Sequence, residues 1–224
     1  VVVDSIEFSS SGSPREIEYA GNGTLDYDVS RFNIFGETLA LYSECYIGMD
    51  SYFSKKDSKV TISFQTKYLE KYAGLVKEPE QLDLRIIKRK KRFSQEETLA
   101  YAYAQEIAIE YFNGIGWKRL QCDQEYTSIF AECEEGRVEL TFTCPSDWEP
   151  VLSGGYQGRV LKVQLLKSDN CYYQPCMHCY PRILDMNISY TYDDTYEKPS
   201  IGKRFYGTAT QDITPQIQEG KPLT

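Results

Sequence analysis

The sequence predicts a mainly β protein, sandwich or barrel-like, with one principal α-helix and a smaller second β domain. Three observations carry this. Short stretches repeatedly alternate apolar and polar residues; tyrosine is abundant, at nineteen of 224 residues; and one segment, Gln95 to Phe112, follows a helix-start signature.

The alternation is clearest where Val138, Leu140, Phe142 and Cys144 interleave with Arg137, Glu139, Thr141 and Thr143. Successive side chains of a strand point to opposite faces, so one face meets a core and the other water. The same pattern recurs at Val60, Ile62 and Phe64; at Leu82, Leu84 and Ile86; at Leu161, Val163 and Leu165; and at Met186, Ile188, Tyr190 and Tyr192. Several short strands divided by turn residues point to antiparallel sandwich or barrel architecture. Gly21-Asn22-Gly23 reads as a turn, because these residues tolerate positive φ. The tyrosines suit half-buried strand faces and protein interfaces, where the ring packs while the hydroxyl stays wet.

The predicted helix spans residues 95 to 113. Ser94-Gln95-Glu96-Glu97 has the form of a capping box, in which Ser94 and Glu97 satisfy each other's free amides. Leu99, Tyr103, Ile107 and Tyr111 form one i+4 row, with Ala100, Ala104, Ala108 and Phe112 in the row beside it. Asn113-Gly114 supplies the stop. Further on, Ser153-Gly154-Gly155-Tyr156-Gln157-Gly158 reads as a flexible connection, placing a domain boundary between residues 152 and 153. The tail from Gly202 onward, with Pro215 and Pro222, reads as an extended arm.

A net charge of −8 gives a field that repels nucleic acid and anionic membrane. No apolar stretch reaches the length of a membrane span. The segment Val1-Val2-Val3-Asp4 lacks the marks of a signal peptide, which a mature secreted chain would have lost. Seven cysteines cannot all pair within one chain, and reduced thiols are the simpler expectation. The sequons at Asn22 and Asn187 are short enough to arise by chance.

Chemistry-bearing patterns are few. Cys171, Cys176 and Cys179, with His178 between the last two, are the weak metal candidate. A closed zinc site needs four ligands, and the adjacent His178 and Cys179 would strain to share one ion. With a single histidine, nucleophilic catalysis has one available imidazole, and no Gly-x-Ser-x-Gly elbow surrounds a serine. Gly114-Ile115-Gly116 lacks the lysine of a phosphate loop. An enzyme is therefore not expected, nor a cofactor. Lys88, Arg89, Lys90, Lys91 and Arg92 form the one basic run. It could hold phosphates, face an acidic neighbouring subunit, or be a solvated strand end. It lacks the interleaved aromatics of single-strand binders.

The order of these segments resembles a known family. A strand ends in basic residues (Leu84 to Lys88), Phe93-Ser94-Gln95-Glu96-Glu97 opens a helix, and Trp117-Lys118-Arg119-Leu120 follows. Next come Tyr126 to Cys133 and a strand finishing Leu140-Thr141-Phe142-Thr143-Cys144-Pro145. This resembles the distal tail proteins of long-tailed bacteriophages over roughly residues 80 to 150, and Tyr180-Pro181-Arg182-Ile183 resembles the strand opening their second domain. The resemblance implies an N-terminal ring-forming domain (1–152) in a hexameric ring and a galectin-like C-terminal β domain (153–224). It also implies a structural hub of a tail tip or baseplate, joining the tail tube to tip and receptor-binding proteins in the virion, after assembly in the host cytoplasm. No membrane, no sequence-specific nucleic acid and no catalysis belong to that role. The alternative from the same strands and tyrosines is a secreted carbohydrate-binding β-sandwich.

Overall fold

Alternating segments that cannot bury their apolar faces alone find each other in two facing sheets. The computed structural model describes residues 2–3, 8–74, 99–194 and 205–206, with side chains described for 11–74 and 99–191. In chain order the elements are β1 (Val2–Val3), β2 (Phe8–Glu16), β3 (Tyr19–Gly21), β4 (Arg31–Asn33), β5 (Glu44–Gly48), α1 (Asp50–Phe53) and β6 (Lys59–Ala73). They continue with β7 (Ala100–Tyr103), β8 (Glu106–Phe112), β9 (Trp117–Arg119), β10 (Gly136–Thr143), β11 (Val151–Ser153) and β12 (Tyr156–Gly158). The last are β13 (Val160–Lys167), β14 (Cys176–Asp194) and β15 (Phe205–Tyr206). The chain divides into a large unit, residues 13–190, and a small one, residues 1–12 with 191–224. In the small unit β1 pairs antiparallel with β15, Val2 opposite Tyr206.

In the large unit one sheet runs β3-β5-β13-β8-β9, and the other runs β10-β6-β14-β2, with β4 and β7 also on β14. Ile47, Ile107, Ile109, Leu161 and Val163 come from the first sheet. Ile62, Phe64, Leu140 and Met186 come from the second, and together these residues line one interior cavity of about 20 Å³. The lining is apolar, and the two faces meet across it as a β-sandwich. Each fully buried aliphatic or aromatic side chain contributes about 1.5–3 kcal/mol. At one edge of the core Trp148 is fully buried and stacks on Phe53 at 4.4 Å and 15°. The single turn α1 delivers Phe53 to that stack and buries Tyr52 beside it.

The mainly β sandwich expectation holds, and the strands expected around Val60, Val138, Leu161 and Met186 are β6, β10, β13 and β14. Register is pinned by cross-strand pairs such as Thr61 and Thr141, whose hydroxyls lie 3.1 Å apart. The Gly21-Asn22-Gly23 turn is present: Asn22 Oδ1 accepts from the Thr24 and Leu25 amides, and Gly23 takes φ 87°.

Two expectations are corrected. Residues 100–103 and 106–112, expected in a helix, are strands β7 and β8, and α1 at residues 50–53 is the helix among the described residues. Spacing of four is even, so an i+4 row lies on one face of a strand as readily as of a helix. Ile107, Ile109 and Tyr111 all point into the core, and their β-branched and aromatic character favours the pleat. The capping box at Ser94–Glu97 and the strand at Leu82–Ile86 lie outside the described residues.

The boundary between 152 and 153 is also absent. Ser153 and Tyr156 close a hairpin, β11–β12, around Gly154 at φ 58°. Beyond it β13 inserts between β5 and β8, with Val163 opposite both Cys45 and Ile109. Residues after 153 thus complete the first sandwich instead of forming their own.

Candidate binding surface

Strand geometry decides what the cysteine cluster can do. Cys176, His178 and Cys179 lie on β14, where residues two apart share a face and residues three apart do not. Cys176 and His178 face the core, while Cys179 meets Cys133, with the sulfurs 3.8 Å apart. The weak metal candidate, Cys171, Cys176 and Cys179, is thus not gathered into one ligand set, and no metal-holding group of His, Cys, Asp or Glu forms among the described residues. His178 serves the fold, since its buried Nδ1 accepts the Leu39 amide at 3.1 Å. Burial holds this imidazole below its ordinary pKa, as a neutral acceptor requires. The basic run Lys88, Arg89, Lys90, Lys91 and Arg92 lies outside the described residues.

On the outer face of the first sheet, Lys162 is only 7% exposed. Its Nζ lies 2.5 Å from Glu110 on β8 and 3.8 Å from Glu44 on β5, under the Trp117 ring at 4.6 Å. Gln164 and Tyr46 also donate to Glu44. These groups satisfy one another across four neighbouring strands. The network ties the sheet together, with one cation shared between two carboxylates and neutral donors completing Glu44.

The surface with unspent binding capacity lies at one end of the sandwich. Three segments meet there: the 40–43 turn, β7, and the 168–175 loop. Leu41 donates its amide to Tyr172 Oη at 3.1 Å, and Asn170 donates from Nδ2 to the Tyr101 carbonyl at 3.0 Å. Gln105 donates to Asp169 at 2.8 Å, and its amide to the Lys167 carbonyl. On this braced frame Tyr42, Tyr101, Tyr172 and Tyr173 are 67%, 40%, 68% and 66% exposed. Tyr101 is stacked on Tyr103 at 6.1 Å. Exposed, pre-positioned tyrosines offer large contact area for little loss of side-chain freedom on binding, and they are enriched at interfaces.

Sequence reading missed this surface. Tyr172-Tyr173 sat inside the segment read for its cysteines, and Tyr101 inside the expected helix. The available signal was a doubled tyrosine between Asn170 and Pro175, residue types that mark a loop.

Fold and surface together define a β-sandwich with an apolar interior and an aromatic end suited to contact with another molecule. No protein-family model matches the chain, and neither a curated protein nor a solved structure matches it.

Proposed function

We propose that this chain is a non-catalytic assembly protein that works by surface contact, in the role of a bacteriophage tail-tip or baseplate hub. The observation that carries the reading is the tyrosine-bearing end of the sandwich, because it concentrates exposed aromatic area on a braced frame. Of the segments that carry the tail-protein resemblance, those read as strands before Cys144-Pro145 and at Tyr180 to Ile183 are strand, in β10 and β14. The helix of that resemblance is strand instead. In this role the chain forms a homo-oligomeric ring between the tail tube and the tip or receptor-binding proteins, and its place is the virion. Negative-stain images of the purified protein at high concentration are expected to contain rings. Images holding only single small particles would count against the role.

A carbohydrate-binding sandwich is the second reading, favoured by Asp169, Asn170 and Gln105 beside the exposed rings. Aromatic faces with planar amide and carboxylate groups are suited to sugars. Titration calorimetry against a panel of oligosaccharides separates the two readings: saturable heat that disappears in Tyr172→Ala would favour it over assembly.

A further inference from the structure

Cys133 and Cys179 are 46 residues apart in sequence, yet their sulfurs are in contact at 3.8 Å. Cys133 sits in the loop before β10 with φ 53°, a left-handed conformation that side chains with a Cβ rarely adopt. Cys179 is held on β14, whose neighbour β7 places Tyr103 opposite it. The two thiols differ in access: Cys133 is half-buried and Cys179 is buried. Elsewhere, the buried Cys144 is committed to the Phe53 carbonyl at 3.2 Å, and Cys45 is fully enclosed.

We infer that Cys133 and Cys179 form a thiol pair that a low-molecular-weight disulfide converts to an intramolecular disulfide, joining the 126–135 loop to β14. The Cys133 thiolate attacks one sulfur of the reagent RSSR, forming a mixed disulfide and expelling RS⁻. The Cys179 thiolate then attacks Cys133 Sγ and expels the second RS⁻. Two protein thiols are oxidised, one RSSR is reduced, and two RSH leave with the two protons. Closing the bond moves the sulfurs from 3.8 Å to about 2.05 Å, within reach of side-chain rotation in a loop residue. The order of attack follows access, since Cys133 is the more exposed of the two.

Two features set the conditions. Burial pushes the Cys133 thiol up to about 12 and raises Cys179 as well, so both stay protonated and slow at neutral pH. Below that value the first step quickens about tenfold per pH unit, as the thiolate fraction grows. Exposed Glu132, Glu134 and Glu135 flank Cys133, which favours a cationic reagent.

The test is treatment of the full chain with cystamine at pH 8.5 until the extent of reaction stops changing, then acid quench, alkylation without reductant, and peptide mass mapping. In the wild type a peptide pair linked through Cys133 and Cys179 is expected in the majority of molecules. In Cys179→Ser the cysteamine adduct is expected to remain on Cys133, because the resolving thiol is gone. In Cys133→Ser, Cys179 is expected to stay unmodified. A stable adduct on Cys133 in the wild type, a link from either residue to a different cysteine, or no reaction at Cys133 would each overturn the inference.

Discussion

Acidification offers a clean probe of the core, because His178 is the sole histidine and no other side chain ordinarily titrates between pH 5 and 7. In the folded chain its Nδ1 accepts the Leu39 amide at 3.1 Å, so a proton there would face another donor. Burial also disfavours the charged ring and lowers its pKa in the folded state. The unfolded chain then binds more protons than the folded one at pH values between the lowered folded pKa and about 6.5. Stability is therefore complete above about pH 7 and falls as pH drops through that window. The slope approaches about 1.4 kcal/mol per pH unit, one proton's worth, and flattens below the folded pKa. Asp28, Glu37, Glu125 and Asp147 have lowered pKa values, chiefly through side-chain hydrogen bonds. Their stabilising effect is lost only below the ordinary carboxylate range, about pH 4.5 and under, so the two windows separate. Urea unfolding at half-unit steps from pH 5 to 8 measures the slope. In His178→Asn, whose amide oxygen can stand where Nδ1 does, the slope is expected to vanish. A wild type with constant stability between pH 5 and 7, or an Asn variant with an unchanged slope, would refute the reasoning.

Other expectations follow from the core and the surface. Trp148→Ala removes a fully buried ring stacked on Phe53 and is expected to cost about 3–5 kcal/mol in denaturant unfolding. Because the Trp148 indole N–H lacks a protein partner, Trp148→Phe should cost less than half as much. Gly48→Ala places a Cβ 2.5 Å from the Tyr156 ring. A loss of about 1–3 kcal/mol is expected, smaller when measured in a Tyr156→Ala background because the two sites are in contact. The double change Tyr172→Ser with Tyr173→Ser removes two exposed rings and, with Tyr172, the acceptor of the Leu41 amide, so a loss of about 1 kcal/mol, a few degrees in the thermal midpoint, is expected without loss of the fold.

The strands that sequence reading located alternate apolar with polar residues, even where, as at Lys162 in β13, the polar one is buried. In β10, Arg137, Glu139, Thr141 and Thr143 mark the outer side of every second residue, and the period is unmistakable. In β8 the signal fails because Ala108 is buried on the face opposite Ile107 and Ile109, and the alternation of polarity disappears. What remains, apolar residues four apart, is common to both periods, and the cap-like Ser94 to Glu97 tipped the reading toward helix. The boundary at 152 failed for a different reason. Gly154-Gly155 signals a turn, but a turn does not reveal whether the next strand returns to the same sheet, and β13 does so through partners over a hundred residues earlier. The cysteine spacing was legible as a pattern, and the strand explains why it makes no ligand pair, since Cys176 and Cys179, three apart on β14, point to opposite faces. Lys162 could have been noticed as a charge within the run Val160 to Leu165, but its partners, Glu44 and Glu110, come from strands remote in sequence.

Whether this sandwich works by assembling is answered most directly by light scattering on the full chain eluting from a sizing column, across a hundredfold range of concentration. The expected result is a single species at a multiple of the 25.9 kDa chain mass, dissociating when Tyr172 and Tyr173 are both serine. A particle of 25.9 kDa at every concentration, with the wild type and the double variant indistinguishable, would contradict it.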